Sequence, residues 1–392
     1  MIESSPARSR AILAILGLVT IVFVGLFVRS VLTRSEARVP DAARVRTPRA
    51  TTSEPEVRAP QAVPTVPAAP VVSKTVRIVS AANFAANGNC HDHYTDGCDL
   101  FSGTLDLSTG AVSGVTRLTS DSLGEAFPQM TADGRTVAFT RYAESGGDDA
   151  MVADLGTATS RVFAHNVSHV FPMPDGSNFI VTALPGFKLE KISSANTDQN
   201  ATSTPLVSGV FEPHVSPDGL KVAYYATTGG ESRGSGTAQA KVYVFASGKT
   251  VDASDADGTA HCFWNVDGTK LYCNNRKNGG VIVRSVASDG TMGTASVGIA
   301  FPSVAALSAV DPAFATGSCV STSVEYGSFC DDTHVILTAA CMVQSNGTLD
   351  QGFTHAVLLD LSSGTYLPVG AAMASAFGGP GSNSWTTTCG AL

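Results

Sequence analysis

The sequence predicts an all-β fold, a β-propeller of four-stranded antiparallel blades, six in number with seven as the alternative. Three observations predict it. Thirty-eight glycines in 392 residues, with only 15% charged residues, suit short strands joined by tight turns. One motif recurs along the chain: "FPQMTADGRTVAFTRYA" (127–143), "HVFPMPDGSNFIVTAL" (169–184), "FEPHVSPDGLKVAYYA" (211–226) and "HCFWNVDGTKLYCNN" (261–275) each carry an apolar run, Asp-Gly, a polar residue or two and a second apolar run. Its turn aspartates, Asp133, Asp175, Asp218 and Asp267, stand 42, 43 and 49 residues apart. A fifth, degenerate copy is "GSFCDDTHVILTAAC" (327–341), with Asp332 as its turn residue after an insertion.

In chain order, residues 1–10 are a short tail and residues 11–32 a transmembrane signal anchor. "AILAILGLVTIVFVGLFV" (11–28) is uncharged, and the run reaches residue 32 if Arg29 snorkels. Such a helix rises roughly 30 Å, the thickness of a bilayer core. No A-x-A-like site follows, so the anchor is expected uncleaved, with cleavage the alternative. Arg8 and Arg10 before it are matched by Arg29, Arg34 and Arg38 after it, so flanking charge sets no orientation. Residues 33–75, Pro- and Ala-rich, are too poor in apolar side chains to fold and form a disordered linker.

Residues 76–392 form the propeller. Asp-Gly between β-rich runs marks a tight hairpin, because Gly permits the positive φ of the turn. Third and fourth strands follow the hairpins, as in "DAMVADLGTATSRVFA" (149–164), "AKVYVFASGKTVDA" (240–253), "GVIVRSVASDGTMG" (280–293) and "THAVLLDLSSGTYLPV" (354–369). Four antiparallel strands per forty-odd residues make a blade. A sixth blade is assembled from the two ends: "VRIVSAANF" (76–84) and "CDLFSGTLDLSTGAV" (98–112), closed by an inner strand from "FGGPGSNSWTTTCGAL" (377–392).

Residues 1–73 carry nine Arg against five acids, and residues 74–392 sixteen Lys and Arg against twenty-eight acids, a balance of +4 and −12. An acidic domain without a basic stripe excludes nucleic acid as a partner. All eight Cys lie between 90 and 389, behind the apolar segment. This points to disulfides and a domain outside the cytoplasm, periplasmic or at the cell surface. No C-x-x-C occurs, which disfavours a zinc site. Cys262 and Cys273 flank their turn symmetrically and are expected to pair. Cys90–Cys98 and Cys319–Cys330 are the next expectations, leaving Cys341 and Cys389 to tie the last blade to the closing strand, with other connectivities open.

The "PDG" turns, Pro128 and Pro213 five residues ahead of the turn Asp, and the "VAF" and "VAY" that follow resemble the WD40-like (PD40) repeats of the TolB β-propeller family. Residues 211–225 match that pattern nearly throughout and 127–139 well; the other copies are partial. The resemblance covers about 75–392 and implies the propeller fold. It implies little about function, because such propellers include envelope scaffolds and parts of enzymes. Some sugar-acid lyases similar to this repeat family hold a channel metal with histidines.

Counting back six residues from each turn Asp gives Phe127, His169, Glu212, His261 and Tyr326. In register, these share one position on successive inner strands, which line the central channel. His169, Glu212 and His261 would then be neighbours at a channel mouth, a ligand set suited to a divalent metal. His214, two residues beyond Glu212, faces the same side by alternation. The competing reading is a solvated polar channel, and a register slip of one residue would dissolve the cluster. "HDHY" (91–94) reads as a polar loop. "GESRG" (230–234) fits G-x-S-x-G but not the strand–turn–helix that motif requires. "DASDADG" (252–258) fails as a calcium loop, since Ala253 and Trp264 would fall on ligand positions.

Two functions remain. One is a membrane-anchored extracytoplasmic propeller that binds another envelope protein or a polysaccharide without catalysis. The other is a metal-dependent lyase or hydrolase acting on an anionic sugar at the channel mouth.

Overall fold

In the computed structural model the described residues are 74–83, 97–120, 122–143, 147–196, 205–227, 238–254, 260–275, 279–345, 347–376 and 383–390. The expected anchor and all but the end of the linker lie outside them, as do "HDHY" and "GESRG". Among the described residues no helix is long and apolar enough to cross a membrane.

Among the described residues, twenty-two strands form five antiparallel sheets. The first holds β1 (Thr75–Asn83), β2 (Asp99–Asp106) and β3 (Val112–Arg117). The second has six strands: β4 (Glu125–Met130), β5 (Thr136–Arg141), β6 (Asp148–Asp154), β7 (Thr159–Pro172), β8 (Asn178–Ala183) and β9 (Lys188–Ser193). The third holds β10 (Phe211–Val215), β11 (Lys221–Thr227), β12 (Ala238–Val244) and β13 (Lys249–Asp252). The fourth holds β14 (Ala260–Trp264), β15 (Lys270–Asn275), β16 (Gly280–Ser285) and β17 (Ser296–Ala300). An insertion with helix α1 (Val304–Ser308) and a 3-10 turn (Pro312–Ala315) leads to the fifth: β18 (Cys319–Phe329), β19 (His334–Ser345), β20 (Thr348–Asp360) and β21 (Thr365–Pro368). Helix α2 (Gly370–Ala376) precedes β22 (Asn383–Gly390). As the sequence suggested, that last strand pairs with β1 and becomes the edge of the first sheet.

β7 explains the six-stranded sheet. Its first part pairs with β6 and its last part with β8, so one 14-residue strand serves two neighbours.

Apolar clusters join the sheets in sequence. Val79, Leu100, Val137 and Phe139 link the first to the second. Phe171, Ile180, Val222 and Tyr224 link the second to the third, and Ala223, Val242, Leu271 and Trp264 the third to the fourth. Tyr272, Val281, Leu337 and Val357 link the fourth to the fifth. Ile78, Leu105, Ile336 and Leu358 then link the fifth back to the first, which closes a ring. Each sheet has an apolar surface on both faces, so a closed ring leaves neither face exposed.

The Asp-Gly turns form as expected, with Gly134, Gly176, Gly219 and Gly268 at φ between 65° and 70°. In the degenerate copy the turn residue is Asp331, not Asp332. Asp331 Oδ1 accepts the Thr333 N–H at 2.8 Å, as Asp133 accepts from Arg135 and Asp267 from Thr269.

Disulfides join Cys262–Cys273, Cys319–Cys341 and Cys330–Cys389. Cys98 is also bonded, and Cys90 lies outside the described residues. The expected Cys319–Cys330 bond does not form because β18 separates its ends by roughly 30 Å, at about 3.3 Å per residue. Cys319 lies instead beside Cys341 on the partner strand, and Cys330, at the far end of β18, reaches Cys389 on β22.

Candidate functional site

The strands that begin the repeats, β4, β7, β10, β14 and β18, each carry an irregularity. Two residues of one strand oppose one of its partner near Phe127, Ser168, Glu212, His261 and Glu325. Phe127, Glu212 and His261 adopt φ of 53°, 45° and 50°, a left-handed conformation uncommon for residues with a Cβ. Such bulges break the alternation assumed for His214 and redirect the side chains around them.

Glu212 and His261 meet: Glu212 Oε2 lies 2.5 Å from His261 Nδ1. On the other side of the ring, His261 Nε2 lies 3.9 Å from Glu325 Oε2. The ring thus hydrogen-bonds Glu212 and stands within ion-pair reach, though not hydrogen-bond distance, of Glu325. The Tyr225 hydroxyl donates to Glu212 Oε1 at 3.3 Å, and the Ser323 hydroxyl to Glu325 Oε1 at 2.6 Å. Both glutamates are buried.

Tyr326 stands at the centre of the group. Its ring contacts His261 edge-on at 5.0 Å, Phe127 at 5.8 Å and His214 at 6.4 Å. Burial, reinforced by the negative charge of Glu212, holds its phenol well above the ordinary 10, so it remains a proton donor.

His169 is fully buried. Its Nδ1 is 2.8 Å from the Ser168 hydroxyl, and its ring packs on Phe127 at 4.5 Å. The structure therefore joins two of the three expected metal ligands directly and sets the third against an aromatic ring. Among the described residues no three His, Cys, Asp or Glu side chains are grouped to hold a metal ion. Glu325 was missed because the count back from Asp332 lands on Tyr326; six residues before the true turn aspartate, Asp331, is Glu325.

His214 contacts Phe171 at 5.0 Å as well as Tyr326. Loss of hydration holds its pKa down to about 4; Glu212 opposes this and His261 adds to it. Its side chain lines a cavity of about 570 Å³ at the carboxyl ends of β4, β7, β10, β14, β18 and β22. Glu212 and His261 stand second in β10 and β14 and Glu325 lies within β18, and none of the three lines this cavity.

No family model matches the chain. No curated protein matches it either. Among solved structures, TolB from Acinetobacter baumannii superposes with a TM-score of 0.54 at 15% identity, over 81% of this chain and 67% of that one. The fold is that of a TolB-like β-propeller. A periplasmic gluconolactonase from Pseudomonas aeruginosa (TM-score 0.47, 11% identity, 81% of this chain and 100% of that one) and a nidogen/laminin complex (0.49, 9%, 81% and 99%) are also similar. At these identities the likeness concerns the fold, and the TolB-like propeller's function has to be argued from its own residues.

Proposed function

We propose that the chain is a six-bladed, membrane-anchored propeller outside the cytoplasm that binds an envelope protein or polysaccharide without catalysis. The six-stranded sheet is read as two blades sharing β7, with residues 11–32 as the anchor, 33–75 as the spacer and 76–392 as the propeller. The disulfides support an oxidising compartment. The likeness to TolB supports the architecture.

The observation that carries the binding reading is the chain Glu212–His261–Glu325. Its acid–base groups are already paired with one another, and two carboxylates share one imidazole. The local charge is negative inside a domain that is itself acidic, which repels an anionic sugar unless a metal compensates.

Metal analysis of the full-length protein, purified with disulfides intact, tests this reading beside its His169→Ala/His261→Ala variant. The expected result is no stoichiometric metal in either, with no unsaturated product released from polygalacturonate. One equivalent of metal in the wild type, absent from the variant and accompanied by product, would overturn binding in favour of a metal-dependent lyase.

A further inference from the structure

The cavity at the carboxyl ends of the inner strands is a separate feature from the glutamate–histidine chain. Its lining contains no carboxylate. Lys74, at its rim, is paired with Asp331 at 2.9 Å. His214 packs between the rings of Phe171 at 5.0 Å and Tyr326 at 6.4 Å and brings no counter-charge of its own. An ion of either sign would lose its hydration there without gaining a free counter-charge.

The polar groups that do face the cavity are bifunctional. Among the described residues, the His214 ring nitrogens and the Gln129 amide make no hydrogen bond within the protein. A neutral imidazole offers one N–H and one acceptor nitrogen, and an amide offers both an NH₂ and a C=O. Groups of this kind match hydroxyls, which also donate and accept. The indole N–H of Trp264, the most obvious fixed donor for a peptide carbonyl, is committed to the His214 carbonyl at 2.9 Å.

The remaining wall is aromatic and held in place. Phe263 and Phe329 lie 6.1 Å apart and both pack on Tyr272. Gly327, also on the wall, leaves room for that arrangement: a Cβ there would run into the Phe263 ring. Flat apolar faces beside donor–acceptor groups, in a volume within the ~300–1,000 Å³ of small-molecule sites, describe a ligand that is uncharged, rich in hydroxyls and apolar on one face.

We propose that this funnel binds the end of a neutral oligosaccharide, with His214 and Gln129 contacting its hydroxyls. The proposal rests on the reading of the propeller as a binding module and names the ligand class of that module.

The test is calorimetric titration of the full-length protein with maltotriose, cellotriose and triacetylchitotriose, against trigalacturonate and decaproline as alternatives. At least one neutral trisaccharide is expected to bind at one per chain, and trigalacturonate not to bind. Gln129→Ala and His214→Leu should each weaken binding about tenfold, as for one lost hydrogen bond in a desolvated site. Glu212→Gln, in the other cluster, should change it less than about twofold. Gln129 is only partly buried, so its variant keeps the test valid if His214→Leu fails to fold.

No binding by any neutral trisaccharide, or binding indifferent to both variants, overturns the proposal. Decaproline binding weakened by Gln129→Ala overturns the ligand class in favour of a peptide. Ligand binding lost only in Glu212→Gln would sink the funnel while leaving the propeller a binding module; metal-dependent turnover would sink the module reading itself.

Discussion

His214 shows how one side chain is set by the channel around it. In the folded protein its pKa is about 4, against 6.5 for an ordinary histidine, because burial disfavours the charged ring. Of the groups facing it, Glu212 pulls the value up, His261 pushes it down, and Tyr326, held protonated, contributes no charge. The sign follows from proton counting: between pH 4 and 6.5 the unfolded chain binds a proton at this site that the folded chain does not. Stability from this residue is therefore complete above about pH 6.5 and is lost as pH falls toward 4, by at most ~3 kcal/mol. Urea unfolding of wild type and His214→Phe from pH 7 to 4 measures it. The wild type should lose more stability over that interval than the variant; parallel curves would mean that His214 titrates as it does in water.

At the level of the element, the Asp-Gly turns are alike in backbone and unlike in what they hold. Asp218 accepts the Leu220 N–H at 2.9 Å and also holds Lys221 Nζ at 2.5 Å, and Lys221 is only 1% exposed. Its ammonium lies over the Trp264 ring at 5.6 Å, so Asp218 is its compensating charge. Among the described residues Asp175, in the equivalent turn, bonds only to Ser177, and it is exposed. Asp218→Ala should cost about 3 kcal/mol or more, by stranding a buried charge, and Asp175→Ala about 1 kcal/mol. Asp218→Ala/Lys221→Met should recover part of the first loss in urea unfolding; equal costs for the two single variants would show that Lys221 does not depend on Asp218. The turns were legible in the sequence because Gly at positive φ leaves a local mark. A second set was equally legible and was passed over: "DLSTG", "DLGTA" and "DLSSG" begin at Asp106, Asp154 and Asp360, and each Asp accepts the N–H two residues on, at 2.8 Å, between third and fourth strands. The bulges left no such mark, since two residues opposing one is a property of the pairing and not of either strand. For the same reason Glu325 escaped notice: a one-residue error at Asp331 moved the count to its neighbour.

For the whole molecule, everything depends on where the ring is sealed. The first sheet takes its edge strand from the far end of the chain: β22 pairs with β1 from Arg77–Gly390 to Asn83–Asn383, and Ser80 meets Thr387 at 2.8 Å between them. Strand pairing alone would let this edge fray, because β22 is the edge of its sheet and pairs on one side only, with β1. Cys330–Cys389 supplies the second fastening, tying β22 across to the end of β18 in the fifth sheet. The bond closes a loop of 59 residues, for which the chain-entropy account gives about 4 kcal/mol. Cys262–Cys273, at a separation of 11, bridges two strands already joined by a turn and has no part in the seam. Replacing Cys330 and Cys389 by Ser should therefore lower stability by up to ~4 kcal/mol and speed amide exchange along β22 ahead of that in β2. Replacing Cys262 and Cys273 by Ala should cost about 3 kcal/mol and leave β22 protection as it was. Exchange followed residue by residue separates the two cases. If β22 stays as protected as β2 without Cys330–Cys389, then pairing and the Ile78–Leu358 core seal the ring unaided. If it opens first, the funnel opens with it, because Thr388 and Cys389 form part of its wall, and loss of trisaccharide binding on reduction should track the exchange rate of β22.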